Sequence, residues 1–162
     1  MIRGLHHNAY RCRDSEETRR FYEDFLGLPL VNAFAITETK SGRETYVLHA
    51  FYGMDDGSCL AFFEVPDSPF EFKVQHDYDL HIALEVARSE LEPMIAKAKA
   101  AGLEVRGIAD HKSIDSIYLR DPNGYVIELT AKRPDHDAQI DAAKRSARAN
   151  LDAFQRDKPR AS

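Results

Sequence analysis

Two histidines and two glutamates stand at matching places in a chain that repeats itself. The stretches HHNAYRCRDSEETRRFYEDFLGLPLV and LHIALEVARSELEPMIAKAKAAGLEV share one order, a short strand, a helix and then Gly-Leu. Placing Ala9 on Ala83 sets His7 on His81 and leaves His6 against Leu80, while AFFEV on YVIEL sets Glu64 on Glu128. A carboxylate flanked by apolar strand residues is costly inside a sheet unless it is paired or bound to a cation. Neutral imidazoles and carboxylates are the nitrogen and oxygen donors that divalent transition metals take. The quartet His7, Glu64, His81 and Glu128 therefore reads as one metal centre built twice over, once from each copy.

The elements that must position these groups follow from periodicity. In the first copy Phe21, Phe25 and Leu28 fall at helical spacing behind Ser15 and an acidic first turn, until Gly27 and Pro29 break the pattern. In the second, Ser89 precedes Leu91, Met94, Ile95 and Ala98, and Gly102 ends the helix. LPLVNAFAIT, RETYVLHAFYG and SCLAFFEVP are strand-like after the first helix, as are LEVRGIA, DSIYLRD and YVIELTAK after the second. The fold class is thus α+β, with two βαβββ modules over about residues 3–68 and 77–132 inside a single domain of residues 1–134. Ile82, Leu84 and Val86 alternate with His81, Ala83 and Glu85, so the apolar face packs on the helix and the histidine face looks the other way. His49 alternates within YVLHAFYG and is open to either side. Asp-Pro-Asn-Gly in RDPNGYVIEL reads as a structural turn.

Bulk composition narrows the partners. The 162 residues carry a net charge of −5 and are 43% hydrophobic, with no basic stripe, which points to a small-molecule partner and away from nucleic acid. Cys12 and Cys59 are too few and too far apart for a disulfide framework, and no apolar run is long enough for a signal or a membrane span, so a cytoplasmic protein is expected. Beyond Pro134, residues 135–162 space Ile140, Ala143, Ala147, Leu151 and Phe154 as the apolar stripe of a helix, followed by a frayed tail.

The segments HHNAYRCRD, FYEDFLGLPLV, LHIALEV and DSIYLRDPNGYVIEL resemble the vicinal-oxygen-chelate superfamily of glyoxalases, extradiol dioxygenases and fosfomycin- and bleomycin-resistance proteins. The resemblance implies two modules whose strands curl into a cup around one divalent metal ion, whether Zn, Ni, Fe, Mn or Co, in a homodimer. It casts His7, His81 and Glu128 as the shared ligands and Glu64 as the fourth ligand of the glyoxalase I branch. It also casts Arg11 as a substrate-contacting arginine, and His111 and Tyr118 as the histidine and tyrosine that flank the metal in the dioxygenase branch. The leading expectation is glyoxalase- or epimerase-like proton transfer on a chelated substrate, a lyase or isomerase reaction, with Glu128 or Glu64 as base and Tyr118 as donor. Fe(II)-dependent extradiol ring cleavage is the alternative, weakened because Ser58 stands where that branch has a histidine before LAF. Ser68 replaces the Asn expected after Glu64, which argues against glutathione. A non-catalytic binding protein of resistance type is the remaining alternative.

Overall fold

A computed structural model describes residues 1–159. The chain runs β1 (His7–Cys12), α1 (Ser15–Arg19), β2 (Leu30–Glu38), β3 (Glu44–Gly53) and β4 (Cys59–Glu64), then β5 (His81–Glu85), α2 (Leu91–Ala100), β6 (Val105–Asp110), β7 (Ile114–Arg120) and β8 (Val126–Lys132), and closes on α3 (His136–Asp157). The strands form two four-stranded sheets of the same order, β1-β4-β3-β2 and β5-β8-β7-β6. In the first, β1 and β4 are parallel and the other pairs antiparallel. The two βαβββ modules are those expected from the repeat, and the C-terminal helix is the one expected from the apolar stripe beyond Pro134.

The described chain divides into two compact units, Met1–His81 with Arg120–Val126, and Ile82–Leu119 with the described residues from Ile127 on. In the first unit Asp14 caps α1 by accepting from the Glu17 amide at 2.8 Å, so the cap falls one residue before the Ser15 that periodicity suggested. Past Arg19 the helix widens into a π-type turn over Arg20–Phe25 and presents Phe21 and Tyr22 to the sheet. Tyr22, Tyr52, Leu60 and Phe62 are fully buried, and Tyr22 lies 4.7 Å from Phe62 between ring centres. Each such side chain stabilises the fold by about 1.5–3 kcal/mol.

The Asp-Pro-Asn-Gly turn belongs to this first unit. Asp121, 4% exposed, accepts from the Tyr22 hydroxyl at 3.0 Å and from the Asn123 amide, the Asn123 side-chain nitrogen and the Tyr125 amide at 2.8–2.9 Å. Burial pushes its carboxyl above the usual carboxylate range against the pull of those donors. Asn123 in turn accepts from the Arg13 amide, and the Tyr125 hydroxyl donates to the Arg11 carbonyl. Gly124, at φ +94°, has no room for a Cβ, which would meet the Lys73 carbonyl oxygen at 2.5 Å.

In the second unit Ile82, Ile117, Leu119, Ile127, Leu129 and Ala131 are buried with Leu91 and Ala98 of α2. A single 3₁₀ turn, Arg88–Glu90, leads into α2, and no side chain caps it, Ser89 included. Asp115 ties the sheet to its surroundings by accepting from Arg88 at 2.9 Å and from Arg133 at 2.6 Å. The Arg133 and Arg88 hydrogen bonds hold the Asp115 carboxyl below its ordinary value. A depressed acid contributes stability above its unfolded value and loses it as pH falls through the folded one. Melting midpoints measured from pH 5 down to pH 3 should therefore fall more steeply for the natural chain than for Asp115→Asn.

Helix α3 has no buried residue, and Ile140, Leu151 and Phe154 of its expected apolar stripe are exposed. Of the expected frayed tail, residues 160–162 lie outside the described residues. Among the described residues no helix is long and apolar enough to cross a membrane.

Candidate functional site

Register assigns every side chain of the first sheet to a face. His7 pairs with Cys59, Ala9 with Ala61 and Arg11 with Phe63, and β3 brings Phe51 opposite Ala61 and His49 opposite Phe63. Phe34 of β2 stands opposite His49. His7, Arg11, Phe63, Phe51, His49 and Phe34 thus share one face, while Tyr10, Cys12, Leu60 and Phe62 turn to the helix.

His7 is exposed, and its Nδ1 lies 2.7 Å from His6 Nδ1. Around it the face is aromatic, with Phe51 at 5.4 Å and His49 at 6.3 Å between ring centres. His49 is stacked on Phe63 at 3.7 Å and is 8% exposed, and its Nε2 is buried without a hydrogen-bond partner. Burial, and then the neighbouring His7, lower its pKa below the usual imidazole value, so it is neutral at pH 7. Alternation alone could not choose a side for His49; pairing with Phe34 and Phe63 does.

Glu64 requires a correction. It pairs with Cys12, whose side chain is on the helix side of the sheet, so its carboxylate turns away from the face that carries His7. There it accepts from the Ser15 amide at 2.8 Å and from the Ser15 hydroxyl, at the start of α1, where the helix dipole favours an anion. The expected roles of Glu64 as ligand and as base both fail on this geometry, and Phe63 holds the place on the other face. Glu64→Ala should cost about 0.5–2 kcal/mol in chemical denaturation, as loss of a helix cap does, and leave metal uptake unchanged. Arg11, the expected substrate contact, donates to the Ser68 carbonyl at 2.7 Å and the Val65 carbonyl at 3.3 Å beneath the Phe70 ring, so it secures the segment after β4.

In the second sheet His81 opens β5 and is exposed. Its Nδ1 lies 2.7 Å from the Asp77 carbonyl, which can only accept, so Nδ1 carries the proton and Nε2 the lone pair in the neutral ring. Glu128, 6% exposed, alternates in β8 with the buried Ile127 and Leu129. It accepts from the Tyr118 hydroxyl at 3.1 Å, and His111 Nε2 stands 2.8 Å from that same hydroxyl. Ser116 and Thr130 are hydrogen-bonded on the same face, at 3.1 Å.

Among the described residues no group of three His, Cys, Asp or Glu side chains gathers as a metal would require. The chemistry of the individual donors nevertheless fits a cation. The His81 tautomer is set by a backbone carbonyl and Glu128 is supported by a hydroxyl donor, the outer contacts that metal ligands use, and His49 has an orphaned buried nitrogen.

Residues 4–129 match the family model described as Glyoxalase/Bleomycin resistance protein/Dioxygenase superfamily. The chain belongs to this superfamily. Among solved superfamily-like structures, a Glu-to-Gln variant of the fosfomycin resistance protein FosX from Listeria monocytogenes, complexed with Mn(II) and 1S,2S-dihydroxypropylphosphonic acid, is 22% identical, with a TM-score of 0.60 over 85% of this chain and 99% of that one. FosX from Mesorhizobium loti is 20% identical, with a TM-score of 0.61 over 86% and 99%. A glyoxalase/dioxygenase from Nostoc punctiforme is 22% identical, with a TM-score of 0.60 over 81% and 92%. At these identities the likeness is one of fold. Comparison with curated proteins finds no match. The superfamily includes metalloenzymes, and the FosX complex shows a divalent ion within this fold.

Proposed function

We propose that the chain is a metal-dependent enzyme that transfers a proton beside an oxygen of a small-molecule substrate, in the manner of glyoxalases and epimerases. The line of hydrogen bonds His111–Tyr118–Glu128 carries this reading. Tyr118 has one hydroxyl proton and directs it to Glu128, so His111 Nε2 carries the proton that faces Tyr118. Such a line orients the Glu128 carboxylate, which itself takes the proton from the substrate and returns it. His7, His81 and Glu128 would hold the ion, one of Zn, Ni, Fe, Mn or Co. When bound, such an ion would supply Lewis acidity toward the substrate oxygen. A homodimer in the cytoplasm belongs to the same reading, and the exposed apolar stripe of α3 supports the dimer.

One observation favours Fe(II)-dependent ring cleavage as a second reading. Phe34, Phe51 and Phe63 make the His7 face suited to an aromatic ring. Against it, Ser58, at the position of that branch's histidine, is tied to Asp56 through its hydroxyl at 2.6 Å and its amide at 2.9 Å.

The test is to load the protein anaerobically with Mn(II), Fe(II), Ni(II) or Zn(II) in turn. Deuterium wash-in beside the carbonyl of 2-oxo-aldehyde adducts and acyl-CoA thioesters is then followed by NMR, and oxygen uptake is followed with catechols. Wash-in is expected, slowed about 10²–10⁴-fold by Tyr118→Phe. Oxygen-dependent ring opening with Fe(II) alone would establish the second reading instead, and tight chelator-insensitive binding without turnover would establish a binding protein.

A further inference from the structure

We propose that His49, on β3, is a further ligand of the metal ion held by His7. This rests on the metal reading above and extends it to a strand from which no ligand was expected.

Register puts the two imidazoles on one face, since His49 pairs with Phe63, Phe63 with Arg11, and Arg11 alternates with Ala9 and His7. Their ring centres are 6.3 Å apart. With metal–nitrogen bonds of about 2.1 Å, two imidazoles on one ion have their centres roughly 5.3 Å apart at a tetrahedral angle and up to roughly 6.5 Å apart when nearly opposite. The observed spacing is at the wide end of that range, so an ion shared by the two rings lies almost between them or draws them closer. His49 is 8% exposed, and its Nε2 has neither a protein partner nor exposure to water. Buried polar atoms in folded proteins are satisfied, and one without a protein partner calls for an ion or a water molecule. The rings around it are Phe63 at 3.7 Å, Phe51 at 4.2 Å and Phe34 at 5.4 Å, none of which can accept or donate a conventional hydrogen bond. They clamp the imidazole plane, as a ligand held ready for an ion requires. Glu64, the carboxylate expected to complete the ligand set, is committed to Ser15 on the opposite face, which leaves a coordination position for His49 to fill.

The experiment uses the full chain and Co(II). Proton NMR of the Co(II)-loaded protein counts imidazole N–H signals shifted far from the diamagnetic range. His7, His49 and His81 together give three such signals in the natural chain, against two if His49 is not a ligand. His49→Gln and the ring-retaining His49→Phe should each lose one signal, change the visible Co(II) absorption and weaken Co(II) binding at least about tenfold, with near-ultraviolet circular dichroism showing that the fold is kept. Two shifted N–H signals in the natural chain, or an unchanged absorption spectrum and affinity in both variants, overturn the assignment while leaving the metal reading standing. A natural chain that takes up no Co(II) overturns both.

Discussion

His81→Ala should remove the metal and the activity together. His81 stands first in β5 with its Nδ1 proton committed to the Asp77 carbonyl, so Nε2 carries the lone pair that the proposed metal reading uses. The alanine variant has no donor at that place and should emerge from dialysis against a stoichiometric divalent ion with metal content near background. Proton transfer then loses its electrophile, a loss of at least about 10²-fold in rate. Stability should follow occupancy. At a free ion concentration about 100 times Kd, a native-only site contributes about 2.7 kcal/mol, which the variant and a chelated natural chain both lack. Elemental analysis beside a melting curve with and without chelator checks this. A variant that keeps both its ion and its rate would mean that the ligands lie elsewhere.

The largest expected loss of stability away from the metal comes from Asp121→Ala. Four donors converge on this 4%-exposed carboxylate, from Tyr22, Tyr125 and both nitrogens of Asn123. Removing it strands three of them inside the protein and leaves the Asn123 side-chain nitrogen only its 3.4 Å contact with the Thr18 hydroxyl, and should cost about 3–5 kcal/mol, a large part of the 5–15 kcal/mol that holds a typical domain together. Urea titration should show the midpoint displaced accordingly. Because burial raises the folded pKa, the native chain keeps this proton over a range where the unfolded chain has released it. The contribution from its titration is full below the unfolded value and declines as pH rises through the folded one, opposite in sign to Asp115. Asp121→Ala should abolish that slope. A midpoint unmoved in urea would show that the turn does not anchor the first unit.

Element order, the internal repeat and the outward-looking face of His81 were legible because they rest on periodicity summed over many residues. Glu64 was not, because the face of a strand residue depends on a register that a one-residue displacement inverts, and similarity between AFFEV and YVIEL cannot count that residue. The helix cap moved by one position for a related reason, since Asp14 and Ser15 both have capping chemistry and only backbone geometry chooses between them. His49 could not be placed from alternation alone, since both neighbouring faces accept a histidine. Its orphaned nitrogen is visible only in three dimensions. The turn at Asp121 was recognisable as a turn, yet its attachment to Tyr22 spans 99 residues and leaves no local signal.

The turning of Glu64 toward Ser15 has an electrostatic consequence. Two carboxylates and neutral imidazoles around a divalent ion would sum to no net charge. In the proposed centre, with Glu128 as the sole anionic donor, about one unit of positive charge would remain whether or not His49 joins it. A centre of that charge would discriminate among chelating molecules by their ionisation, holding one that has released a proton more tightly than its neutral counterpart.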